Sequence, residues 1–552
     1  ICRSTLQPRH YVSKWGKMEE AMDAYRSAIR VRSDFFEAHS ALGLNLWRMN
    51  KFKEAKYSFG KALALNPDHA NTHNNLGLAL QGLGILDEAI SSYENALRVE
   101  PDLAEAHNNL GLALQDLCKL DDAVRRYQKA ASIKPDYSAA YSNLLMAEQY
   151  RPSQDVETLY KLHCKWDQYY GRAFHADWPK HVNTPDPDRR LRVGLLSADF
   201  RRHPVGYFLV GFLKHLPTET IERIIYCDNT SDDLTEAIKE DSDKWCYVGN
   251  VSDSDLASAI FGDRIDILVD LAGHSANNRL PVFSRKPAPV QVTWAGYPGT
   301  TGLSSIDYLI SDQYSTYAGE EEFCTEKVVR MPHGWLCYQP PDYAPTINAL
   351  PYEKNGFVTF ASFNNPAKLN TELILTWCKV LASVANSRML IKYKGVDSPS
   401  NLERLTSLFE TQGISKSRFT LEGQSPHDEL LRRYTDADIA LDPFPYSGGL
   451  TTLEALWMGV PVITMAGETF AGRHSLSHLS NMGLQELVAH NTEQYVELSE
   501  RLARHPKKLA ALRAGLREQM TKSPICDVQK FANDFSIIMR ETWKNWCYTQ
   551  SP

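Results

Sequence analysis

Several short stretches gather the residue types that bind anions and move protons. S-A-D-F-R-R-H-P (197–204) follows a β-branched run and puts His203 in a loop at its end. That loop suits active chemistry, although a surface histidine near a proline turn reads the same way. G-Y-P-G-T-T-G (296–302) carries three glycines in seven residues. Such spacing brings backbone N–H groups close to a phosphate or sugar, or simply makes a tight turn. D-L-A-G-H-S-A-N-N (270–278) ends another run with several polar groups together. F-N-N-P-A-K (363–368) places Lys368 where a strand gives way to a helix, and a cation beside free helix N–H groups suits a diphosphate. D-P-F-P-Y-S-G-G-L-T-T-L-E (442–454) runs from glycines through Thr451 and Thr452 into a helix, a second anion-binding pattern. Glu454 on that first turn would take ribose hydroxyls or merely answer the helix dipole. G-E-T-F-A-G-R (467–473) adds Arg473.

Other chemistries are excluded. There is no G-x-x-x-x-G-K-[ST] loop and no G-x-S-x-G elbow. Asp436-Ala437-Asp438 resembles a metal-binding pair, but it precedes a strand and reads as a helix end. Ten cysteines are scattered with no C-x-x-C and no zinc spacing, which fits a reducing, intracellular compartment. The net charge of −7 argues against bulk binding to nucleic acid or anionic lipid. The longest nearly apolar stretch, 455–467, is broken by Gly and Pro and falls short of the roughly 20 residues a bilayer needs. The first residue is Ile and no secretory pattern follows, so a soluble protein is expected, with a solenoid that is cut or atypically capped at its start.

These loops need a scaffold. From Leu191, short β-branched runs alternate with helical stretches: 191–197, 223–228, 265–271, 290–296 and 307–311, then 357–363, 387–393, 438–442 and 461–467. Unbroken apolar runs separated by helices predict parallel sheets covered on both faces. Two groups predict two doubly wound domains, 191–345 and 346–552, with the site in the crevice between them. Upstream, residues 1–150 repeat with period 34. Leu42, Leu76 and Leu110 fall in register, as do Gly43, Gly77 and Gly111, then Phe59, Tyr93 and Tyr127, then Pro67, Pro101 and Pro135. That is the tetratricopeptide pattern, an α-solenoid. Asn75, Asn109 and Asn143 also recur at 34. They form an amide ladder that would hold a peptide backbone, or else cap and solvate each first helix. Residues 151–190 read as a helical linker.

Taken together, R-V-G-L-L-S-A-D-F-R-R-H-P, R-K-P-A-P-V-Q-V-T-W-A-G-Y-P-G-T-T-G, F-N-N-P-A-K and L-D-P-F-P-Y with A-L-W-M-G-V-P-V-I-T-M-A-G-E-T are similar to the O-linked N-acetylglucosamine transferase and SPINDLY family of protein glycosyltransferases. The resemblance covers nearly the whole chain. It implies a GT-B fold and inverting, metal-independent transfer from a nucleotide sugar to Ser or Thr of proteins, with no cofactor and with acceptors guided by the repeats. It also implies roles. Lys368 neutralises the donor diphosphate. His203 lies by the sugar and acceptor, Gly296 and Pro298 line the sugar, and Asn365 reaches the pyrophosphate and sugar. Thr451 and Thr452 form the phosphate turn, Glu454 takes the ribose, His427 lies on the base side, and Arg473 adds positive field. The family divides between UDP-N-acetylglucosamine and GDP-fucose. G-E-T-F-A-G-R looks like the first branch, and A-G-H-S-A-N-N and F-N-N-P-A-K look like SPINDLY. Gly449-Leu450-Thr451 matches neither branch. UDP-N-acetylglucosamine is the expected donor, GDP-fucose the alternative, and a non-catalytic scaffold the reading of another class.

Overall fold

The computed structural model describes residues 9–152 and 154–550. It opens with a helix over Arg9–Val31, then three antiparallel helix pairs: Phe36–Arg48 with Phe52–Leu65, Ala70–Gly82 with Leu86–Val99, and Ala104–Asp116 with Leu120–Ile133. Helix Ser138–Gln149 closes the stack. The periodic residues explain the pairing. A Cβ added to Gly43, Gly77 or Gly111 would come within 2.7, 2.4 or 2.6 Å of the rings of Phe59, Tyr93 or Tyr127. Each repeat therefore locks an aromatic of its second helix into the space where its first helix has no side chain. Those three aromatics are fully buried.

The stretch after the solenoid is a wedge more than a linker. Helix Val156–Trp166 buries Leu159, His163 and Trp166. The Trp166 indole N–H donates to Ser142 Oγ of the last solenoid helix at 3.1 Å. The Trp178 indole N–H donates to the Ser284 carbonyl of the next domain at 2.9 Å.

Two parallel sheets follow. The first holds β1 (Leu191–Ser197), β2 (Ile221–Cys227), β3 (Lys244–Tyr247), β4 (Ile267–Asp270), β5 (Val290–Thr293), β6 (Tyr308–Ser311) and β7 (Lys327–Arg330), in the order β3-β2-β1-β4-β5-β6-β7. The second holds β8 (Val358–Ser362), β9 (Ser387–Lys392), β10 (Phe419–Glu422), β11 (Ile439–Leu441), β12 (Val462–Met465) and β13 (Val488–Ala489), in the order β10-β9-β8-β11-β12-β13. The chain direction across each sheet reverses beside β1 and β8, which fixes the ligand crevices at β1/β4 and β8/β11. All nine expected strands are present. The four not expected, β3, β7, β10 and β13, are the four sheet edges. β3, β7 and β10 are only partly buried and lack the unbroken apolar runs that mark interior strands, whereas β13 is buried but only two residues long.

Both lobes use the same strut. Asp270, the last residue of β4, accepts from the Gly273 amide at 2.8 Å and from Thr293 Oγ1 of β5 at 2.8 Å. Asp442, after β11, accepts from the Gly448 amide at 2.7 Å and from Thr464 Oγ1 of β12 at 2.7 Å. Burial raises the pKa of both carboxyls, that of Asp270 to about 6.

Helix Val528–Gln550, within the expected C-terminal domain, packs back on the first lobe. Phe531 and Phe535 meet Trp294 and Phe212, and the Trp543 indole N–H donates to the Asp186 carbonyl at 2.9 Å. The result is a repeat solenoid and two facing Rossmann-type lobes, the arrangement the resemblance implied. Among the described residues no helix is long and apolar enough to cross a membrane.

Candidate active site

The floor of the site is built by the ends of β8 and β11. After β8, Asn365 Oδ1 accepts from the Ala367 amide at 3.0 Å and caps the single turn Pro366–Lys368. That cap aims Lys368 at the loop after β11. Its Nζ donates to the Ser447 carbonyl at 2.8 Å and stands 4.3 Å from the centroid of the Tyr446 ring. Enclosure away from water lowers the Lys368 pKa to about 8, opposed by the nearby Asp442 carboxylate. In that loop a Cβ on Gly448 would meet Asp442 Oδ1 at 2.7 Å and Thr452 Oγ1 at 2.5 Å, so only glycine fits. Helix Leu450–Trp457 starts at Gly449 with no side-chain cap, leaving its first amides for a ligand. Thr451 Oγ1 donates to Asn364 Oδ1 at 3.1 Å, tying the two loops together, while buried Thr452 pairs with Ser475 Oγ at 2.7 Å.

One turn further along that helix, buried Glu454 bonds His427 Nε2 at 2.7 Å. The other ring nitrogen of His427 meets the Tyr343 hydroxyl at 2.7 Å and the Tyr207 hydroxyl at 3.2 Å. Tyr207 lies one turn into helix Pro204–His215, which His203 caps through Nδ1 and the Val205 amide at 3.4 Å. His203, half-buried, also lies 3.6 Å from Asp199. Loss of solvent lowers its pKa, with Asp199 opposing, so it is a neutral imidazole at pH 7. Thus the helix headed by His203 reaches across the crevice to the Glu454 side of the second lobe.

Gly296 and Pro298 occupy the loop after β5. A Cβ on Gly296 would lie 1.9 Å from the Leu271 carbonyl oxygen, so the close approach to β4 requires glycine. The Tyr297 hydroxyl between them meets His163 Nε2 at 2.7 Å and accepts from Gln149 Nε2 at 3.1 Å. Burial holds His163 down to about 4, so this seam is uncharged at neutral pH. The solenoid also touches the second lobe. Tyr150 stacks on Tyr446 at 5.0 Å, and Cys118 Sγ donates to the Ala367 carbonyl at 3.6 Å. The last solenoid helix therefore braces the loops on both sides of the crevice through the neighbouring residues Gln149 and Tyr150.

Two expectations change in detail. Arg473 does not face an open phosphate site. Buried, it makes a two-pronged pair with Glu320 of the first lobe at 2.6 and 2.9 Å, and it donates to the Gly467 and Glu468 carbonyls. It ties lobe to lobe. Two asparagines of the ladder are engaged by other asparagines, those just before the ladder positions of the preceding repeats. Asn109 donates to Asn74 at 2.9 Å, and Asn143 to Asn108 at 2.8 Å, joining successive repeats; Asn109 is buried, whereas Asn75 and Asn143 are half-buried. Asp436 pairs with Arg433 at 2.6 Å, and Asp438 accepts from the Thr359 and Tyr352 amides, as a helix end and strand start would. Among the described residues no three His, Cys, Asp or Glu gather as metal ligands.

Tyr207, Tyr343, Tyr446 and Asn364 were not anticipated. Asn364 and Tyr446 lie inside motifs singled out for other residues. The two remaining tyrosines join the site through contacts far apart in sequence.

Residues 173–341 and 347–535 match the profile of glycosyl transferase family 41, and residues 36–69, 83–117 and 104–137 match tetratricopeptide repeat profiles. A protein of Solanum lycopersicum described as a probable UDP-N-acetylglucosamine–peptide N-acetylglucosaminyltransferase SPINDLY is 36% identical over 413 residues, 73% of this chain and 44% of its own length. The Arabidopsis thaliana protein described as the probable transferase SEC is 29% identical over 380 residues, 66% of this chain and 38% of its own. The chain spans less than half the length of these curated relatives. A mutant of the Thermobaculum terrenum O-GlcNAc transferase has a solved structure that superposes with a TM-score of 0.88 at 33% identity, covering 94% of this chain and 98% of its own. With the family profile matched across most of the sequence and both lobes, the chain belongs to glycosyl transferase family 41.

Proposed function

We propose that the chain is an inverting, metal-independent protein O-glycosyltransferase that moves N-acetylglucosamine from UDP-N-acetylglucosamine to Ser or Thr of acceptor proteins guided by the solenoid. The observation that carries this reading is Lys368. Its ammonium is held by a carbonyl and an aromatic face at the end of β8, beside the uncapped start of helix Leu450–Trp457. A cation and free amides converging on one turn suit a leaving diphosphate, whose growing charge they stabilise as the glycosidic bond breaks. Thr451, Thr452 and Asn365 complete the phosphate turn, Glu454 takes the ribose with His427 toward the base, and Gly296 and Pro298 line the sugar. His203, neutral at pH 7, orients or relays the acceptor proton. The names of the relatives support the peptide acceptor and the UDP donor.

The test is thermal stabilisation by UDP, GDP and their sugars, then the intact mass of an incubated acceptor. Stabilisation by UDP and a hexosamine-sized gain, both lost in Lys368→Met, is expected. A deoxyhexose-sized gain with GDP-fucose would assign the SPINDLY-type donor. No turnover with any donor would leave a scaffold.

A further inference from the structure

His474 begins helix His474–Asn481 and is buried. Its backbone amide donates to Ser447 Oγ at 3.0 Å, which fixes the residue against the loop that carries Lys368's carbonyl partner. Its ring lies among Trp335, Tyr446 and Phe470, with centroids 5.4, 5.7 and 6.0 Å away. Neither ring nitrogen has a hydrogen-bond partner. A buried imidazole without partners is costly, because each polar group forfeits its bonds to water. Natural sites tolerate that cost where a ligand supplies the missing partner.

The direction of the ring says which ligand. A Cβ built on Gly449 would lie 3.6 Å from His474 Nδ1. The nitrogen thus faces the side-chain-free start of helix Leu450–Trp457, the turn whose amides are uncapped. Tyr446 touches both groups: it stacks edge-on with His474 and lies under the Lys368 ammonium. Burial and the neighbouring Lys368 and His478 push the His474 pKa well below the ordinary value, so the ring is neutral and offers one N–H and one lone pair.

We infer that His474 is a direct ligand of the donor diphosphate, its Nδ1–H donating to a phosphate oxygen held over Gly449. The inference rests on the reading that this turn binds a nucleotide diphosphate. It gives the diphosphate a side-chain donor beyond Lys368, and it assigns that donor to a helix start rather than to the glycine turn. Because Gly449 lacks a side chain, the turn leaves room for it.

Binding of UDP, GDP, uridine and guanosine to the full chain tests it, using His474→Phe, which keeps the ring shape without a donor, and His474→Asn, which keeps a donor. A wild-type protein that binds UDP or GDP no better than the matching nucleoside would defeat the diphosphate reading itself, and the inference with it. If the wild type prefers the diphosphate, His474→Phe should weaken it about tenfold or more while leaving the nucleoside within about twofold, the size expected for a lost charge-assisted hydrogen bond. His474→Asn should recover part of that loss. Wild-type diphosphate affinity in His474→Phe would overturn the inference. So would an equal loss in His474→Phe and His474→Asn, which would make the ring's shape the cause. Should His474→Phe fail to fold, His474→Asn against His474→Ala decides: tighter diphosphate binding by Asn supports a donor, and equal binding refutes it.

Discussion

At the scale of single residues, the proposed nucleotide site turns on Lys368 and the His427–Glu454 pair. Lys368 is protonated below its pKa of about 8, and only the ammonium attracts a diphosphate. Nucleotide affinity should therefore fall as pH rises through about 8, by up to about tenfold per unit until the pKa of Lys368 in the complex is passed. A bound anion favours the charged form, so the pKa rises in the complex and binding above pH 8 takes up a proton. Calorimetric titration with UDP in buffers of different ionisation heat checks both statements; level affinity up to about pH 10 would refute them. Glu454 is buried with His427 as its polar partner. His427→Ala leaves that carboxylate unsatisfied and should cost about 1–3 kcal/mol, read as a lower unfolding midpoint, together with weaker nucleotide binding. His427→Gln, which keeps a donor, should restore most of the midpoint.

At the scale of elements, the solenoid tests its own packing rule. Gly111 in helix Ala104–Asp116 has the Tyr127 ring where a methyl would go, whereas Gly60 in helix Phe52–Leu65 has nothing within 4 Å. Gly111→Ala should destabilise the repeats by about 1–3 kcal/mol through overpacking. Gly60→Ala, in an exposed helix interior, should stabilise by about 0.5–1 kcal/mol through lost unfolded-state entropy and better helix propensity. Hydrogen exchange across residues 36–149 measures both, and the two signs must differ. The sheets teach a related lesson. Interior strands announce themselves because both faces are apolar; β3, β7, β10 and β13 stand at edges and do not.

Over the whole molecule, three parts meet around one crevice. Arg473 and Glu320 join lobe to lobe, so Glu320→Gln leaves a buried guanidinium short of its carboxylate. A loss of about 1–3 kcal/mol is expected, with the effect of Arg473→Lys not adding to it. Tyr150 couples the solenoid to the site through Tyr446, the ring beneath Lys368. Tyr150→Leu should weaken UDP about two- to tenfold while Tyr150→Phe, which keeps the stack, binds as wild type. Equal affinities in all three would show that the solenoid's end does not brace the lysine.

Much of this architecture is legible in the chain's local patterns. The 34-residue period, the nine interior strands and the loops at their ends follow from such patterns, because helix pairing and strand burial leave marks at fixed spacing. Lys368, Thr451, Thr452 and Glu454 lie on the loops that follow β8 and β11, and Asn365 and His427, to which only the resemblance pointed, lie beside them. The partners of these residues are not legible there. Arg473 beside Asp, Glu or phosphate looks the same in sequence; only the facing lobe brings Glu320 to it. Tyr207 with His427, Tyr150 with Tyr446 and the partnerless ring of His474 over Gly449 are contacts between separate segments of the chain, and no local period encodes them. The sequence by itself determined the helical repeats, the interior strands and the loops that follow them. Only the tertiary structure decided which charges remain available, because availability depends on what packing has already paired.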